Sequence, residues 1–171
     1  MELKTERLII RKTTSEKTKQ INTENDGASV DQFLGTLSTE DIAVIFQDKD
    51  AVSALITRFS DSIGNGDSEI YGAWEGERLI GFISLVNAES GTPELQIEID
   101  PLFQGKGYGF EFLRTLLEWI FETRDFQYIR YTVLPNNKAS ISLVDKIGGL
   151  LQEPKSEAER LLIRTYHITK T

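Results

Sequence analysis

A glycine-rich stretch stands directly before a helix-forming pattern in the middle of the chain. It reads FQGKGYGFEFL and carries glycines at positions 105, 107 and 109. Glycine costs roughly 1 kcal/mol relative to alanine within a helix, but it lets an anion approach the backbone amides at a helix N-terminus. The spacing predicts a phosphate site on the amides of Gly105, Lys106, Gly107, Tyr108 and Gly109, with the Lys106 ammonium adding charge. A turn that only reverses the chain is the structural alternative.

Two common phosphate-binding motifs do not fit this stretch. A P-loop requires Gly-x-x-x-x-Gly-Lys followed by Ser or Thr, which the chain lacks. The dinucleotide fingerprint Gly-x-Gly-x-x-Gly fails because Phe110 occupies the third glycine position and because the surrounding strands look antiparallel. Nucleoside triphosphate hydrolysis and dinucleotide binding are therefore poor matches.

An acidic strand precedes the glycine-rich stretch. In the segment ELQIEID, apolar and polar residues alternate, as in a strand with one buried face. The apolar set is Leu95, Ile97 and Ile99, and the polar set is Glu94, Gln96, Glu98 and Asp100. The pattern therefore predicts that three carboxylates lie on one side of this strand.

Further strands are predicted on both sides of these segments. Apolar runs indicate a short strand in residues 5–11, a hairpin that turns at residues 75–77, and a strand at residues 127–134. The C-terminal part predicts two strands, Leu150-Leu151 and RLLIRTYHIT, joined by a polar connection.

Helices are predicted between the strands. Residues 14–66 look polar and mostly helical, with a loop at residues 20–29 and a turn at residues 64–67. Helical spacing also covers residues 108–124 and 138–147. Asn136 or Asn137 can cap the last helix, which stops at Gly148-Gly149.

The composition restricts the class of protein. A length of 171 residues suits one domain, residues 1–171. The absence of cysteine excludes disulfides, thiolate zinc sites and a cysteine nucleophile, and no metal site is expected. The net charge of -8 argues against nucleic-acid binding and favours cationic partners such as amines. With no apolar run long enough for a signal peptide or a membrane span, we expect a soluble, cytoplasmic protein.

Three motifs together resemble those of a known family. They are TERLIIR, EIDPLFQGKGYG and NNKASISLVDKIGG, and the second contains Gln104-x-x-Gly-x-Gly. In this order they resemble the GNAT family of acetyl-coenzyme A dependent N-acetyltransferases, in the branch similar to ribosomal-protein alanine N-acetyltransferases. The resemblance implies an α/β (α+β) fold. Its twisted, mostly antiparallel central sheet would be flanked by helices and splayed between the strands at residues 94–100 and 127–134.

The resemblance also implies a binding mode for acetyl-coenzyme A. The pyrophosphate would lie on the turn from Gln104 to Gly109, and the pantetheine arm would lie in the gap between the splayed strands. Asn137 would contact this arm and Ser140 would lie near the sulfur, although both residues also suit a helix cap. Amides of Ile97, Glu98 and Ile99 would meet the acetyl carbonyl oxygen.

Acetyl transfer to an amine needs a base, and the acidic strand offers two. Glu94 is the first candidate and Glu98 the second, acting directly or through water, while solvated surface carboxylates are the structural alternative. Many relatives carry a tyrosine acid where this chain has Val144, so Ser140, water or no residue would protonate the thiolate. Gly149 replaces a usual aromatic residue, which leaves the packing near the pantetheine open.

Residues outside these motifs are assigned mainly to structure. Tyr71, Trp74 and Phe82 suit the core more than the acceptor side of the site, and the single histidine, His167, suits a terminal strand.

The acceptor is expected to be a primary amine attacked directly in a ternary complex. A protein N-terminus asks less of a base than lysine, because its reference pKa is about 7.7 to 8.0 instead of about 10.4. A small amine such as a polyamine, amino acid or aminoglycoside is the alternative within the class. A non-catalytic coenzyme A binding module is the alternative outside it, and a homodimer is left open.

Overall fold

The computed structural model describes residues 1–21, 30–53 and 68–171. Most of the predicted loop at residues 20–29, the turn at residues 64–67 and the apolar helix positions Leu55, Ile56 and Phe59 lie outside these ranges. The described residues form an eight-stranded sheet in the order β1-β2-β3-β4-β5-β6-β8-β7. All neighbouring strands are antiparallel except β5 and β6, which are parallel.

The strands follow the predicted pattern with one addition at the N-terminus. Their bounds are β1 Glu2–Lys4, β2 Ile9–Lys12, β3 Ser68–Glu75, β4 Arg78–Val86, β5 Glu94–Ile99, β6 Ile129–Val133, β7 Leu150–Leu151 and β8 Arg164–Ile168. The hairpin between β3 and β4 is confirmed, with Gly76 in the left-handed region at φ 59°. The single strand predicted in residues 5–11 is wrong in extent, because the Thr5 N–H donates to the Leu8 carbonyl in a turn that separates β1 from β2.

The helices cover both faces of the sheet. Their bounds are α1 Ser15–Thr18, α2 Val30–Leu34, α3 Thr39–Gln47, α4 Tyr108–Thr123, α5 Lys138–Ile147 and α6 Glu157–Leu162. Helices α4 and α5 pack against one face, in a core that includes Leu95, Phe112, Leu116, Tyr131, Val144 and Tyr166. The opposite face carries a second cluster that joins α2, α3 and α6 through Phe33, Ile45, Leu134 and Leu162. The predicted mixed fold with a central sheet is confirmed.

The helix α6 corrects the prediction for the C-terminal segment RLLIRTYHIT. Its first residues end a helix and do not begin a strand. The hydroxyl of Ser156 accepts from the Glu159 N–H at 3.0 Å, and the Glu159 carboxylate accepts from the Lys155 N–H at 2.8 Å. The first contact satisfies an amide of the first helical turn, and the second holds the residue before the N-cap against that turn. The helix therefore starts here, and the apolar run supplies its buried face at Leu162 before β8 starts at Arg164.

The sheet opens between its two parallel strands. Pairing between β5 and β6 is limited to Glu94 with Arg130 and Leu95 with Tyr131. Beyond Leu95 the two strands diverge, while β5 keeps pairing with β4 as far as Ile99. The expected splay between these strands is therefore present. The turn that leads to α4 follows β5 in the chain and lies on that side of the gap. None of the described helices has the length and apolar character of a membrane span.

Candidate active site

The glycine-rich stretch forms an exposed turn that ends at the N-terminus of α4. Gly105 and Gly107 adopt left-handed φ angles of 71° and 84°, which side-chain-bearing residues rarely tolerate. Gly107 is the N-cap of α4, and no described side chain caps this end. Within the described part of the chain, the amide N–H groups of residues 105–109 donate no hydrogen bond of normal length and angle. The turn therefore exposes the backbone of residues 105–107 at the positive end of a helix dipole, next to the amides of Tyr108 and Gly109.

Two side chains of this turn are held by the protein itself. Gln104 Nε2 donates to the Ile99 carbonyl at 2.8 Å and thereby ties the turn to the end of β5. Lys106 Nζ donates to the Leu102 carbonyl at 2.8 Å and lies 5.7 Å from the centre of the Phe103 ring. The backbone amides, more than either side chain, are thus the open groups of the turn.

A salt bridge that the sequence analysis missed joins the turn to the N-terminal segment. Arg7 Nη1 donates to the Lys106 carbonyl at 3.0 Å, and Arg7 Nε donates to Glu111 Oε2 at 2.7 Å. The guanidinium also lies 4.1 Å from the centre of the Tyr108 ring. Arg7 lies within the quoted motif TERLIIR, but no local pattern links it to a glutamate 104 positions away.

In β5, the N–H groups of the odd-numbered residues face the gap. The Asp100 N–H donates to the Ile80 carbonyl at 2.8 Å, next to β4, whereas the Pro93 carbonyl accepts from the Arg130 N–H at 2.8 Å, on the β6 side. Backbone groups alternate in direction along a strand, so the N–H groups of Ile97 and Ile99 face the β6 side, where the strands have diverged. By the same alternation the N–H of Glu98 faces β4.

The two candidate bases lie on the same face of β5, as the alternation predicts. Glu94 stands at the closed end of the splay, opposite Arg130, and its Oε1 atom is buried. Glu98 stands opposite Phe82 of β4, beyond the last paired residues of β5 and β6. Between them on β4 lies Ser84, which is fully buried and whose hydroxyl has no hydrogen-bond partner among the described residues. The third carboxylate, Asp100, caps a short helical turn by accepting from the Leu102 N–H at 2.9 Å.

Asn137 and Ser140 lie across the gap, at the start of α5. Asn137 is the N-cap of this helix, and its Oδ1 accepts from the Ser140 N–H at 3.0 Å. Capping is therefore one role of Asn137. Val144 is fully buried in the core, and a Cβ at Gly149 would come within 2.5 Å of its Cγ2 atom. The glycine at position 149 is thus required by the packing of α5 on the sheet.

The three aromatic candidates belong to the core, as expected, and His167 lies in the terminal strand β8. Trp74 and Phe82 are buried in one cluster, and Tyr71 is buried in the main core with its hydroxyl donating to Glu69 Oε2. Burial, followed by this hydrogen bond, raises the pKa of Tyr71 well above its usual range. His167 stacks on Tyr128 at 3.9 Å, and burial with the nearby Arg130 charge lowers its pKa. The described residues contain no group of three acidic or histidine side chains that could hold a metal ion.

Comparison with known structures supports the architecture. The chain is similar to RimL, the ribosomal L7/L12 α-N-protein acetyltransferase in complex with coenzyme A, with a TM-score of 0.66 and 16% identity over 99% of this chain and 98% of that one. It is similar to the acetyltransferase from Salmonella typhimurium that modifies the N-terminal serine of 50S ribosomal protein L7/L12, with a TM-score of 0.64 and 17% identity over 98% and 97% of the two chains.

A third similar structure is the ribosomal-protein-S5-alanine acetyltransferase from Vibrio fischeri, with a TM-score of 0.60 and 12% identity over 99% and 96% of the chains. At these identities the structures establish the fold alone. None of the curated proteins matches the chain in sequence. A family model does match: the acetyltransferase (GNAT) domain fits residues 7–149. This range includes β2, the splayed strands, the glycine turn and α5, so the chain belongs to the GNAT family of acetyltransferases.

Proposed function

We propose that this protein transfers the acetyl group of acetyl-coenzyme A to a primary amine, and that the acceptor is the α-amino group of a protein N-terminus. The observation that carries the proposal is the open turn at residues 105–109, whose unbonded amides adjoin a splayed sheet and an acidic strand. The neighbouring structures named as N-terminal acetyltransferases support the choice of acceptor.

The residues present fit coenzyme A along one continuous path. The amides of residues 105–109, at a helix N-terminus, suit the diphosphate. The gap-facing N–H groups of Ile97 and Ile99 suit the carbonyl oxygens of the pantetheine arm and of the acetyl group. On the other side of the gap, Asn137 uses its Oδ1 in the helix cap, so its Nδ2 is the group that would donate to the arm. Acetyl-coenzyme A supplies an activated thioester that an amine can attack.

Glu94 is assigned the role of general base. Its position at the closed end of the splay, with one carboxylate oxygen buried, suits a group that accepts a proton from an amine held next to the gap. Glu94 takes this proton as the bond from nitrogen to the acetyl carbon forms and the carbon–sulfur bond breaks. The N–H groups of Ile97 and Ile99 stabilise the carbonyl oxygen, and Ser140 or water returns a proton to the thiolate.

The chain offers no nucleophile of the thiol type, since it contains no cysteine. Direct attack by the amine therefore matches the available chemistry. An α-amine, with a reference pKa of about 7.7 to 8.0, is partly neutral at neutral pH and needs only modest help from Glu94 or Glu98. A lysine side chain, near 10.4, would need more.

The proposed activity is tested by measuring thiol release from acetyl-coenzyme A with a panel of acceptors. The panel contains short peptides with free N-termini, the same peptides blocked at the N-terminus, a polyamine, an amino acid and an aminoglycoside. We expect turnover with free peptide N-termini and none with the blocked peptides. Preferential turnover of a small amine would instead select the alternative acceptor class.

Variants of the two carboxylates then test the assignment of the base. Glu94→Gln should leave coenzyme A affinity unchanged and lower kcat by about 100-fold or more, the scale of general-base catalysis. Glu98→Gln, on the same face of β5, serves as the matched variant and should lower kcat less. Tight coenzyme A binding without turnover of any acceptor would indicate a binding module, and a larger loss in Glu98→Gln would move the base to that residue.

A further inference from the structure

The peptide units of the glycine turn are held in place from the side opposite to their exposed amides. A trans peptide unit points its C=O and its N–H in opposite directions. The Lys106 carbonyl accepts from Arg7 Nη1, so the N–H of Gly107, in the same peptide unit, points away from Arg7. The Gly107 carbonyl accepts from the Glu111 N–H at 3.1 Å, so the N–H of Tyr108 points out of the helix end.

Glu111 connects these two contacts. Its carboxylate accepts from Arg7 Nε at 2.7 Å and from the Arg7 backbone N–H at 3.3 Å. It also accepts a hydrogen bond from the Thr5 hydroxyl. Burial alone would raise the pKa of Glu111, but the hydrogen bonds from Thr5 and Arg7 outweigh it, and the pKa is lowered. Arg7 and Glu111 are therefore both charged at neutral pH. One glutamate thus anchors the first turn of α4 through its backbone and the arginine through its side chain.

The arginine also packs against the turn. Its guanidinium covers the Tyr108 ring, and the Tyr108 hydroxyl donates in turn to Glu75 of β3. A Cβ built on Gly107 would lie 3.5 Å from Arg7 Nη2, so the guanidinium backs directly onto the N-cap position. We refer to Arg7, Glu111 and the Lys106 carbonyl as the N-terminal clamp.

We propose that Arg7 is a positioning residue for coenzyme binding: the N-terminal clamp fixes the Lys106 and Gly107 peptide units so that the turn amides converge on the coenzyme diphosphate. The inference rests on the proposed function. It assigns Arg7 a role through the turn, with no contact to the acetyl group or the acceptor. Its effect should therefore depend on whether the donor molecule carries a diphosphate.

The experiment compares two acetyl donors, acetyl-coenzyme A and S-acetylpantetheine, which lacks the diphosphate. Binding of coenzyme A and of pantetheine is measured by calorimetry, and KM and kcat are measured with both donors. In Arg7→Met we expect affinity for coenzyme A to fall about tenfold, the effect of losing one charge-assisted hydrogen bond. KM for acetyl-coenzyme A should rise with kcat retained, and both constants for S-acetylpantetheine should stay unchanged.

Two further variants separate positioning from charge and from folding. Arg7→Lys keeps the charge but cannot bridge Glu111 and the Lys106 carbonyl while covering Tyr108, so its affinity should be intermediate. Glu111→Gln keeps the backbone bond to Gly107 but weakens the hold on Arg7, and it should shift the coenzyme A affinity in the same direction. Arg114→Met is the matched control, because Arg114 pairs with Glu118 at 2.9 Å on an exposed face of the same helix.

The outcomes are distinguishable. Unchanged coenzyme A affinity in folded Arg7→Met, or an equal loss with both donors, would overturn the inference while leaving the proposed function intact. A loss in Arg114→Met as large as that in Arg7→Met would also overturn it. Failure of the unmodified protein to bind coenzyme A would overturn both the proposed function and the inference.

Discussion

Two strand-to-helix junctions lie on either side of the splayed sheet, and they are completed in opposite ways. The junction from β5 to α4 ends in Gly107, has no described side-chain cap, and leaves the backbone of residues 105–107 exposed. The junction from β6 to α5 ends in Asn137, which caps its own helix through the Ser140 N–H. The same structural element is thus left open on one side of the gap and closed on the other.

The two junctions differ in the kind of ligand group that they can bind. The unpaired amides at a helix N-terminus normally bond to a capping side chain or to water, so an uncapped end built from glycine is suited to an anion. At the capped end the Ser140 N–H is already bonded to Asn137 Oδ1, and Asn137 Nδ2 remains as a donor that suits a neutral group. A diphosphate at the first junction and an amide-bearing arm at the second therefore match the two ends of coenzyme A.

The largest effect is expected from placing a negative charge at the open junction. Gly105→Asp puts a carboxylate next to the proposed diphosphate, and like charges a few ångströms apart should lower coenzyme A affinity by about 100-fold. Calorimetry measures the change. Space is not the cause, since a Cβ at Gly105 meets nothing within 4 Å.

Gly76→Asp is the control for this charge substitution. Gly76 has a similar φ of 59°, and its Cβ would also meet nothing within 4 Å, but it lies in the β3–β4 hairpin. Strain in the left-handed region should lower the free energy of unfolding of both variants by a similar amount, about 1 kcal/mol. An equal loss of coenzyme A affinity in the two variants would contradict a local role for the open junction.

A second prediction separates the two functions of Asn137 at the capped junction. Asn137→Ala removes the cap and should lower the free energy of unfolding by about 1 kcal/mol, measured with urea. Asn137→Asp keeps the cap oxygen but removes the Nδ2 donor, so stability should be retained while coenzyme A affinity falls about fivefold. Wild-type affinity in Asn137→Asp would restrict this residue to capping.

A third prediction concerns pH, because only the open junction is anchored by a titrating group. The pKa of Glu111 in the folded state lies below its ordinary value of 4.5. The contribution of Glu111 to stability is therefore present above that value and is lost as the pH falls through the folded-state pKa. Urea unfolding between about pH 5 and about pH 3 should show a steeper loss for the unmodified protein than for Glu111→Gln. Parallel curves would show that the ion pair adds nothing to folding.

The smallest effect on the fold is expected at Gly109. Unlike Gly105 and Gly107, this residue has no left-handed φ, and an added Cβ would make ordinary contacts at 3.6 Å with Ile99 and 3.8 Å with Leu143. Gly109→Ala should therefore change stability by no more than about 1 kcal/mol in thermal unfolding. A large destabilisation would show that the turn needs all three glycines for its conformation.

Local patterns in the sequence predict the elements around the gap well. The leucine stripe and the glycine turn define α4, and Asn137 with Gly148 define the ends of α5, because caps and apolar periodicity act within a few residues. The alternation in β5 likewise fixes which residues share a face with Glu94. The misassigned segment at α6 also had a local signal, the Ser156-x-x-Glu159 pattern, which the apolar run after it obscured.

Long-range contacts could not be derived in the same way. The bonds from Arg7 to Glu111 and to the Lys106 carbonyl join residues about a hundred positions apart, and they depend on how β2 and α4 come together in the fold. The small size of Gly149 has a nearer cause, since an added Cβ would meet Val144, five positions earlier, at the end of the same helix. Sequence patterns specify which backbone forms the open junction, whereas tertiary packing specifies what orients it.

The most direct test of the open junction is the response of its amides to the coenzyme. Backbone amide resonances of residues 105–109 should be followed by nuclear magnetic resonance while coenzyme A, and separately pantetheine, is added. We expect large, saturable shifts of these five amides with coenzyme A and small ones with pantetheine, while the Ser140 amide, already bonded to Asn137, responds less. Saturable coenzyme A binding that leaves the amides of residues 105–109 unmoved would contradict the proposal that they hold the diphosphate.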